Sequence, residues 1–290
     1  MNSLTWEPQL RAWLLEDLGR AGDITTDSIL SADATATAAI VAREDGVVAG
    51  LAMAARAFTL YDPAVNVHPL TNDGARVHAG EVLATVAGPA RAVLTAERTS
   101  LNVLGHFSGI ASATRAVVDI VAPFGVAVVD TRKTTPGLRA LEKWAVRMGG
   151  GSNHRFGLDD AVLVKDNHIA VAGGVTAAVE LVRTRVGHLV KIEVEVDTLE
   201  QLEEALRLAI DAVLLDNFYA SDLHAGVQCV REAEQAGGRR ILVEASGGIR
   251  PETAAAIAAT GVDLLSIGRL TNSSPNLDVA LDIDTHQQTW

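Results

Sequence analysis

The chain has a single cysteine, Cys229, among 290 residues. A disulfide bond within the chain is therefore excluded, and so is a metal cluster held by several thiolates. Cys229 lies in the stretch LHAGVQCVREAEQ, where a small residue packed on a helix is the simplest interpretation.

Basic residues are also fewer than acidic residues. The sequence contains 24 Lys and Arg against 36 Asp and Glu, which gives a formal net charge of −12. Sequence-independent nucleic-acid binding needs a broad basic face and is disfavoured. A small anionic ligand is still permitted, because a local cationic pocket can coexist with an acidic exterior.

Long apolar runs are missing near the start of the chain. The opening residues MNSLTWEPQLRAWLLEDLGR carry charges and a proline where a secretory signal needs an apolar core, and GVVAGLAMAARAF is interrupted by Arg56. Solenoid repeats and low-complexity segments are lacking too. We therefore expect a soluble, cytoplasmic protein without a membrane segment.

The first hundred residues show short β-like runs separated by turns, which is typical of an α+β domain with an antiparallel sheet. The segment LAMAARAFTLY predicts a helix between two of these runs. The following TAERTSLNVLGHFSGIASATRAVVDIVAPFG predicts either one long helix or two helices broken near Gly105 and Gly109.

From residue 126 the pattern changes to apolar runs that alternate with helical segments. Six such strands with intervening helices imply parallel β-α-β crossovers, either closed into a barrel or laid out as an open sheet. The six runs are VAVVD, AVLVK, VKIEVEV, AVLLD, ILVEAS and LLSIG.

Polar residues stand at the end of every one of these six runs. The carboxyl ends of barrel strands converge on one mouth, which is where such folds build their active sites. Cations are prominent there, and several converging cations indicate a ligand with more than one negative charge. Local salt bridges with Asp159, Asp160 or Asp166 are the alternative for any single cation. The cations are Arg132, Lys133, His154, Arg155 and Lys165.

Glu195 and Asp216 are lone carboxylates that follow consecutive strands. In a cationic mouth they are suited to Mg²⁺, which takes one or two carboxylates together with substrate phosphate oxygens. General-base work and an ion pair with the lysines are the alternatives. Glu193 points to the same face and competes for the role, but Glu195 lies nearer the mouth. The glycine-containing loops EASGGIRPET and SIGRLT, after the last two strands, predict phosphate binding.

Several motifs together resemble the quinolinate phosphoribosyltransferase family. They are LTAERTSLN, DTRKTTPGLR, GGGSNHRFGLDDAVLVKDNHIA, VEVDTLEQ, VLLDNF and EASGGI, and the likeness covers essentially the whole chain. The resemblance implies an N-terminal open-faced α/β sandwich over residues 1–108 and an incomplete parallel α/β barrel over 109–269. The tail 270–290 would pack back on the first domain.

The family's reaction, in NAD biosynthesis, joins quinolinate to 5-phosphoribosyl 1-diphosphate and yields nicotinate mononucleotide, CO2 and diphosphate. By the resemblance, a pocket for the quinolinate carboxylates would include Arg98, supplied across the interface of a homodimer or of a higher oligomer built from dimers. Lys133, Lys165, Glu195 and Asp216 would be catalytic, the last two beside the ribose and Mg²⁺. The rest of the quinolinate pocket would be Thr131, Arg132, Lys133, His154, Arg155 and Lys165. The phosphoribosyl diphosphate site would add Ser246, Gly247, Gly248, Ser266, Gly268 and Arg269.

The sequence departs from the family pattern in two places. Asn272 stands where a histidine is expected and Arg269 where a small residue is expected, so diphosphate binding could differ. His106-Phe107 replaces the common Gln-Arg pair. Two other readings stay open: a related transferase that uses another anionic pyridine or a molybdenum-related ligand, and a barrel that binds an anionic metabolite without turnover.

Overall fold

The computed structural model describes residues 1–283, which form two compact units. The first unit contains residues 1–115, 141–150 and the segment that begins at Ser273. The second unit contains residues 116–140 and 151–272. The last seven residues of the predicted tail, 284–290, lie outside the described residues.

An antiparallel four-stranded sheet organises the first unit. Its strand order is β12-β1-β5-β3, and a separate two-stranded ribbon pairs β2 with β4. The last strand therefore returns to pair with the first, Ile40 lying opposite Leu281. The strands are β1 Thr35–Ala42, β2 Gly46–Val47, β3 Asn66–Pro69, β4 Arg76–Val77, β5 Val82–Pro89 and β12 Val279–Ile283.

Helices cover this sheet and supply its core. Phe58, Leu83 and Leu104 have no exposed surface, because the helices and strands that carry them pack their apolar faces together. The segment LAMAARAFTLY forms the predicted helix. The helices are a 3-10 turn Ser3–Thr5, α1 Glu7–Leu18, α2 Ile24–Ile29, α3 Leu51–Tyr61 and α4 Ala90–Val121, which a second 3-10 turn Ala122–Phe124 follows.

Helix α4 is continuous through both of its glycines. A Cβ on Gly105 would lie 2.9 Å from the Leu277 carbonyl oxygen, and a Cβ on Gly109 would lie 2.0 Å from that of Pro275. The glycines therefore let another segment of the backbone cross the helix closely, rather than break it.

The stretch Ala90–Phe124 is long and apolar enough to cross a membrane by length and composition alone. Its residues Val93, Ala96 and Leu104 are fully buried inside the protein. We therefore assign it as a core helix.

The second unit is built on a six-stranded parallel sheet with the order β6-β11-β10-β9-β8-β7. Sequential strands are neighbours from β7 to β11, and β6 pairs with β11, which gives an incomplete α/β barrel. The predicted fold class is confirmed. The strands are β6 Ala127–Val129, β7 Val162–Val164, β8 Ile192–Val196, β9 Ala212–Asp216, β10 Leu242–Ser246 and β11 Leu264–Ser266.

Helices alternate with these strands, because consecutive parallel strands of one sheet are joined by crossover connections. All five residues of β8 are buried, which is typical of a strand covered on both faces. The helices of this unit are α6 Asp166–Ala172, α7 Val175–Arg183, α8 Leu199–Leu206, α9 Ala220–Gln235, α10 Pro251–Ala258 and α11 Arg269–Asn272. The helix between β6 and β7 in the chain is α5 Arg139–Met148, and its residues from Leu141 onwards belong to the first unit.

Candidate active site at the carboxyl edge of the parallel sheet

The loop after β6 is tied to the glycine-led loop that precedes β7 by a buried carboxylate. Asp130 has no exposed surface and accepts hydrogen bonds from Asn153 Nδ2 at 2.5 Å and from the His154 backbone N–H at 3.0 Å. Because both bonds join a strand end to the second loop, they fix residues 153–155 beside the end of β6.

Arg139 braces the same two loops from the side. Its Nε donates to Thr134 Oγ1 at 3.0 Å and its Nη1 donates to the Phe156 carbonyl oxygen at 3.2 Å. The rigid fork of the guanidinium can hold two partners in one geometry. Arg132 and Lys133, between these anchors, are exposed, and Thr131 Oγ1 accepts the Lys133 N–H at 3.0 Å.

Arg155 is half-buried and lies close to a second guanidinium. Its Nη1 donates to the Ala161 carbonyl oxygen at 3.2 Å. Burial lowers the pKa of Arg155, and the charge of Arg132 lowers it further, although nearby carboxylates act in the opposite direction. Two like charges at one edge repel each other, so a bound anion would stabilise both.

Lys165 and Glu195 form an ion pair across neighbouring strands. Lys165 Nζ donates to Glu195 Oε2 at 2.5 Å, and the carboxylate side chain is only 10% exposed. The ion-pair alternative for these residues is therefore realised in this structure. The partner at the mouth is Glu195 rather than Glu193, because residues 193 and 195 share a face of β8 and Glu195 lies closer to its carboxyl end.

His154 faces two other carboxyl groups. Its Nε2 lies 3.0 Å from Glu193 Oε2 and 3.6 Å from Glu244 Oε1, while its Nδ1 accepts the Arg155 backbone N–H at 2.7 Å. Glu244 is 1% exposed, and burial, followed by the charge of Glu193, raises its pKa to about 8. Both ring nitrogens thus contact protein groups, and the predicted contact of His154 with a ligand carboxylate stays a prediction.

Asp216, the last residue of β9, is held by the strained residue that follows it. Asn217 has φ of 57°, the left-handed region that non-glycine residues rarely occupy, and its Nδ2 donates to Asp216 Oδ2 at 2.7 Å. Gly247 permits this arrangement, since a Cβ there would lie 2.1 Å from Asn217 Oδ1. The loops after β9 and β10 therefore depend on each other.

The loops after β6 and β11 also pack together. A Cβ on Gly268 would lie 2.9 Å from Lys133 Cδ, and Thr271 Oγ1 donates to the Lys133 carbonyl oxygen at 2.7 Å. Arg269 follows directly as the first residue of α11. Ser246 and Ser266 end their strands, and Gly248 has a positive φ of 60°. These residues lie at the predicted edge, and their contacts with phosphate stay predictions.

Arg98 belongs to the first unit, on α4. Its side chain is 64% exposed and its Nη2 lies 3.9 Å from Glu97 Oε1. It borders a surface depression together with Asp17, Asp23 and Thr95. Its delivery to a neighbouring subunit's site stays a prediction.

His106, on the same helix, contacts the fully buried Glu142 through Nε2 at 3.2 Å.

Three residues of this edge were assigned no role from the sequence: Asn153, Arg139 and Glu244. All three lie inside quoted motifs, but the partners of Asn153 and Arg139 are revealed only by the loop geometry. The role of Glu244 could have been suspected from the sequence. A glutamate two residues before the end of an apolar strand that is covered on both faces must be buried, and a buried glutamate needs a partner.

The fold and the site define an α/β-barrel enzyme whose strand ends gather cations around paired carboxylates. Two family models match the chain: the quinolinate phosphoribosyl transferase N-terminal domain over residues 23–108 and the C-terminal domain over residues 110–282. The chain belongs to the quinolinate phosphoribosyl transferase family.

Individual relatives agree with this assignment. The probable carboxylating nicotinate-nucleotide pyrophosphorylase of Synechocystis is 44% identical over 96% of this chain and 92% of its own length. The carboxylating nicotinate-nucleotide pyrophosphorylase of Mycobacterium leprae is 45% identical over 94% of this chain and 95% of its own. The crystal structure of NadC from Streptococcus pyogenes superposes with a TM-score of 0.91 at 36% identity and covers 98% of both chains.

Proposed function

We propose that this chain transfers the phosphoribosyl group of 5-phosphoribosyl 1-diphosphate to quinolinate and releases diphosphate and CO2, giving nicotinate mononucleotide for NAD biosynthesis. The observation that carries the proposal is the presence of three cations on the loops at the ends of β6 and β7: Arg132 after β6, Arg155 before β7 and Lys165 after β7. Two guanidinium groups together with the Lys165 ammonium group suit a ligand with two carboxylates.

Quinolinate would bind at the loops after β6 and β7. Arg132 and Arg155 would bind its carboxylates, Thr131 and Lys133 would line the same pocket, and Lys165 would exchange its bond to Glu195 for the ligand. Arg98 from a second copy of the chain would complete the pocket, so the active form would be a homodimer. The soluble enzyme would act in the cytoplasm.

Phosphoribosyl diphosphate would occupy the opposite side of the edge. The backbone of Gly247 and Gly248 suits phosphate oxygens, because both residues have positive φ angles and neither carries a side chain that would cover its amide group. Gly268 and Arg269 would contact the diphosphate, together with Ser246 and Ser266. Arg269 would supply charge there, beside the Asn272 that replaces the family's histidine.

The donor set fits Mg²⁺, because Glu195 and Asp216 offer hard carboxylate oxygens from neighbouring strand ends. Mg²⁺ held there would supply neutralisation of the diphosphate charge. Asn217 would orient Asp216 through its hydrogen bond.

The chemistry would need no covalent enzyme intermediate. The pyridine nitrogen attacks C1 of the ribose, which acquires oxocarbenium character as diphosphate leaves, and the enzyme's cations stabilise the departing charge. The nitrogen is then quaternary, so the positive ring stabilises the electron pair left on C2 when the C2–carboxylate bond breaks and CO2 departs. A proton taken up at C2 from water completes nicotinate mononucleotide. Lys133, Lys165 and the arginines contribute mainly by orientation and charge.

Product analysis by mass spectrometry tests this proposal. Purified protein with Mg²⁺ and phosphoribosyl diphosphate is expected to form nicotinate mononucleotide and CO2 from quinolinate, but no product from nicotinate. The Arg132→Ala variant is expected to lose this activity while it stays folded by circular dichroism. A folded wild-type protein that forms no product from quinolinate would refute the proposal and favour another anionic pyridine or a binding role.

A further inference from the structure

We propose that Glu244 is a positioning residue: it stays protonated, hydrogen-bonds to Glu193, and so holds His154 as a neutral imidazole with its hydrogen on Nε2. His154 would then act as a fixed support for the quinolinate-binding loop and not as a cation. The inference deepens the proposed function and rests on it for the identity of the ligand.

The hydrogen-bond partners of His154 determine its tautomer. Nδ1 accepts the Arg155 backbone N–H at 2.7 Å, so Nδ1 carries a lone pair and no hydrogen. The ring hydrogen is therefore on Nε2, which lies 3.0 Å from Glu193 Oε2, a hydrogen-bond distance. An imidazolium would present an N–H on both sides and would oppose the Arg155 N–H.

The surroundings of Glu244 favour a neutral carboxyl group. Its Oε1 is buried without a hydrogen-bond partner among the described residues, and His154 Nε2, at 3.6 Å, is too distant to donate to it. An ionised oxygen left in that state would be expensive. The groups that face Glu244 are the Glu193 carboxylate on β8, the His154 ring and the Ser266 hydroxyl on β11.

A metal ion is the competing explanation for this cluster. Ligand atoms of His154, Glu193 and Glu244 all lie within 4.8 Å of one another. A metal-bound histidine, however, donates its second ring N–H to an acceptor. Here the second nitrogen faces the Arg155 N–H, which is a donor, so the arrangement fits a shared proton and not a metal.

A fixed His154 ring also fixes the backbone of Arg155. The backbone N–H of His154 is held by Asp130 and its ring by Glu193, so the residue is fixed at both ends. Its Nδ1 in turn fixes the Arg155 backbone N–H. A displaced ring would release the start of Arg155 and thus the guanidinium that the proposed function assigns to a quinolinate carboxylate.

The wild-type protein provides the first test, which needs no altered residue. Nitrogen NMR of protein labelled in its histidines is expected to show His154 as the neutral Nε2–H tautomer at pH 7, with the signal assigned by its loss in His154→Gln. An imidazolium or an Nδ1–H tautomer would overturn the inference. This result does not depend on turnover, so it is distinct from a failure of the proposed function, which would appear as wild-type protein inactive on quinolinate.

Substitution at position 244 provides the second test. Glu244→Gln keeps a neutral group that donates to Glu193, whereas Glu244→Leu fills similar space without a donor. We expect Glu244→Gln to keep the Nε2–H signature and a quinolinate KM within about threefold of wild type, and Glu244→Leu to raise KM about tenfold with a smaller effect on kcat. Glu193→Gln, which removes the charged acceptor, is expected to resemble Glu244→Leu.

Three results would contradict this assignment. Equal losses in Glu244→Gln and Glu244→Leu, both folded by circular dichroism, would mean that the charge of Glu244 is required. Unchanged KM in both Glu244→Leu and Glu193→Gln would mean that neither residue positions the loop. Zn²⁺ binding by calorimetry that perturbs the His154 signal and disappears in Glu244→Gln would favour a metal site.

Discussion

Lys165 Nζ lies 2.5 Å from Glu195 Oε2, which joins a proposed substrate cation directly to a proposed metal ligand. The two residues sit on neighbouring strand ends, and the carboxylate is nearly buried while the lysine is 44% exposed. In the proposed site this pair would link the quinolinate pocket to the Mg²⁺ ligands. In the proposed reaction Lys165 would turn from Glu195 towards quinolinate, and the Glu195 carboxylate would then be available to hold Mg²⁺.

Removal of this lysine should disable the site without unfolding the protein. We expect Lys165→Ala to lower kcat/KM for quinolinate about 100-fold, roughly 2.7 kcal/mol, because it removes a ligand cation and leaves Glu195 unpaired. Lys191→Ala is the matched control, since Lys191 also pairs with a carboxylate, Asp211 at 2.9 Å, but at the opposite end of β8. Its kinetics should match wild type, and a comparable loss there would contradict the assignment.

The planar geometry of the Arg155 guanidinium should contribute to quinolinate binding in addition to its charge. Arg155→Lys keeps the charge but loses the planar fork that binds a carboxylate through two bonds, so we expect the quinolinate KM to rise about tenfold. Arg185→Lys, at an exposed position of the same unit, is the control and should leave KM unchanged. An unaltered KM in Arg155→Lys would show that Arg155 contributes charge alone.

The sequence predicted most of the barrel because each of its strands is a short apolar run followed by polar residues. It could not decide between one helix and two near Gly105 and Gly109, because the reason for these glycines is a backbone crossing by residues 275–277, which are remote in sequence. Which polar residues follow each strand could be read from the order of the sequence, and the role of the cations among them as a ligand site stays a prediction. The sequence left the ion pair between Lys165 and Glu195 as one of several alternatives, because it depends on strand register, and it gave no indication of the contact between His154 and Glu193, which depends on the path of the loop before β7.

Two alanine variants can distinguish the effect of the close contact between Gly247 and Asn217 from the effect of backbone strain. Gly247 and Gly237 both have φ of 99°, but a Cβ on Gly247 would meet Asn217 Oδ1 at 2.1 Å, whereas a Cβ on Gly237 meets nothing within 4 Å. Both alanine variants should lose about 1–2 kcal/mol of stability from the left-handed conformation. Only Gly247→Ala should also raise the KM for phosphoribosyl diphosphate and the Mg²⁺ concentration needed for half-maximal activity. The reason is that the new Cβ displaces Asn217, which orients Asp216. Equal kinetic effects in the two variants would contradict this role.

The raised pKa of Glu244 predicts how stability depends on pH. Its pKa is about 8 in the folded protein against an ordinary value of 4.5, because burial and the Glu193 charge penalise ionisation. The unfolded chain therefore releases this proton first, so the stability that the neutral carboxyl contributes is complete below pH 4.5 and is lost as pH rises through about 8. Wild type should therefore lose stability relative to Glu244→Gln as the pH rises from 5 to 8.5. The expected change in the difference between their free energies of unfolding is a few kcal/mol, on the order of 1.4 kcal/mol for each unit of pKa shift. Urea unfolding at these two pH values measures it, and a pH-independent difference would show that Glu244 is ionised throughout the range.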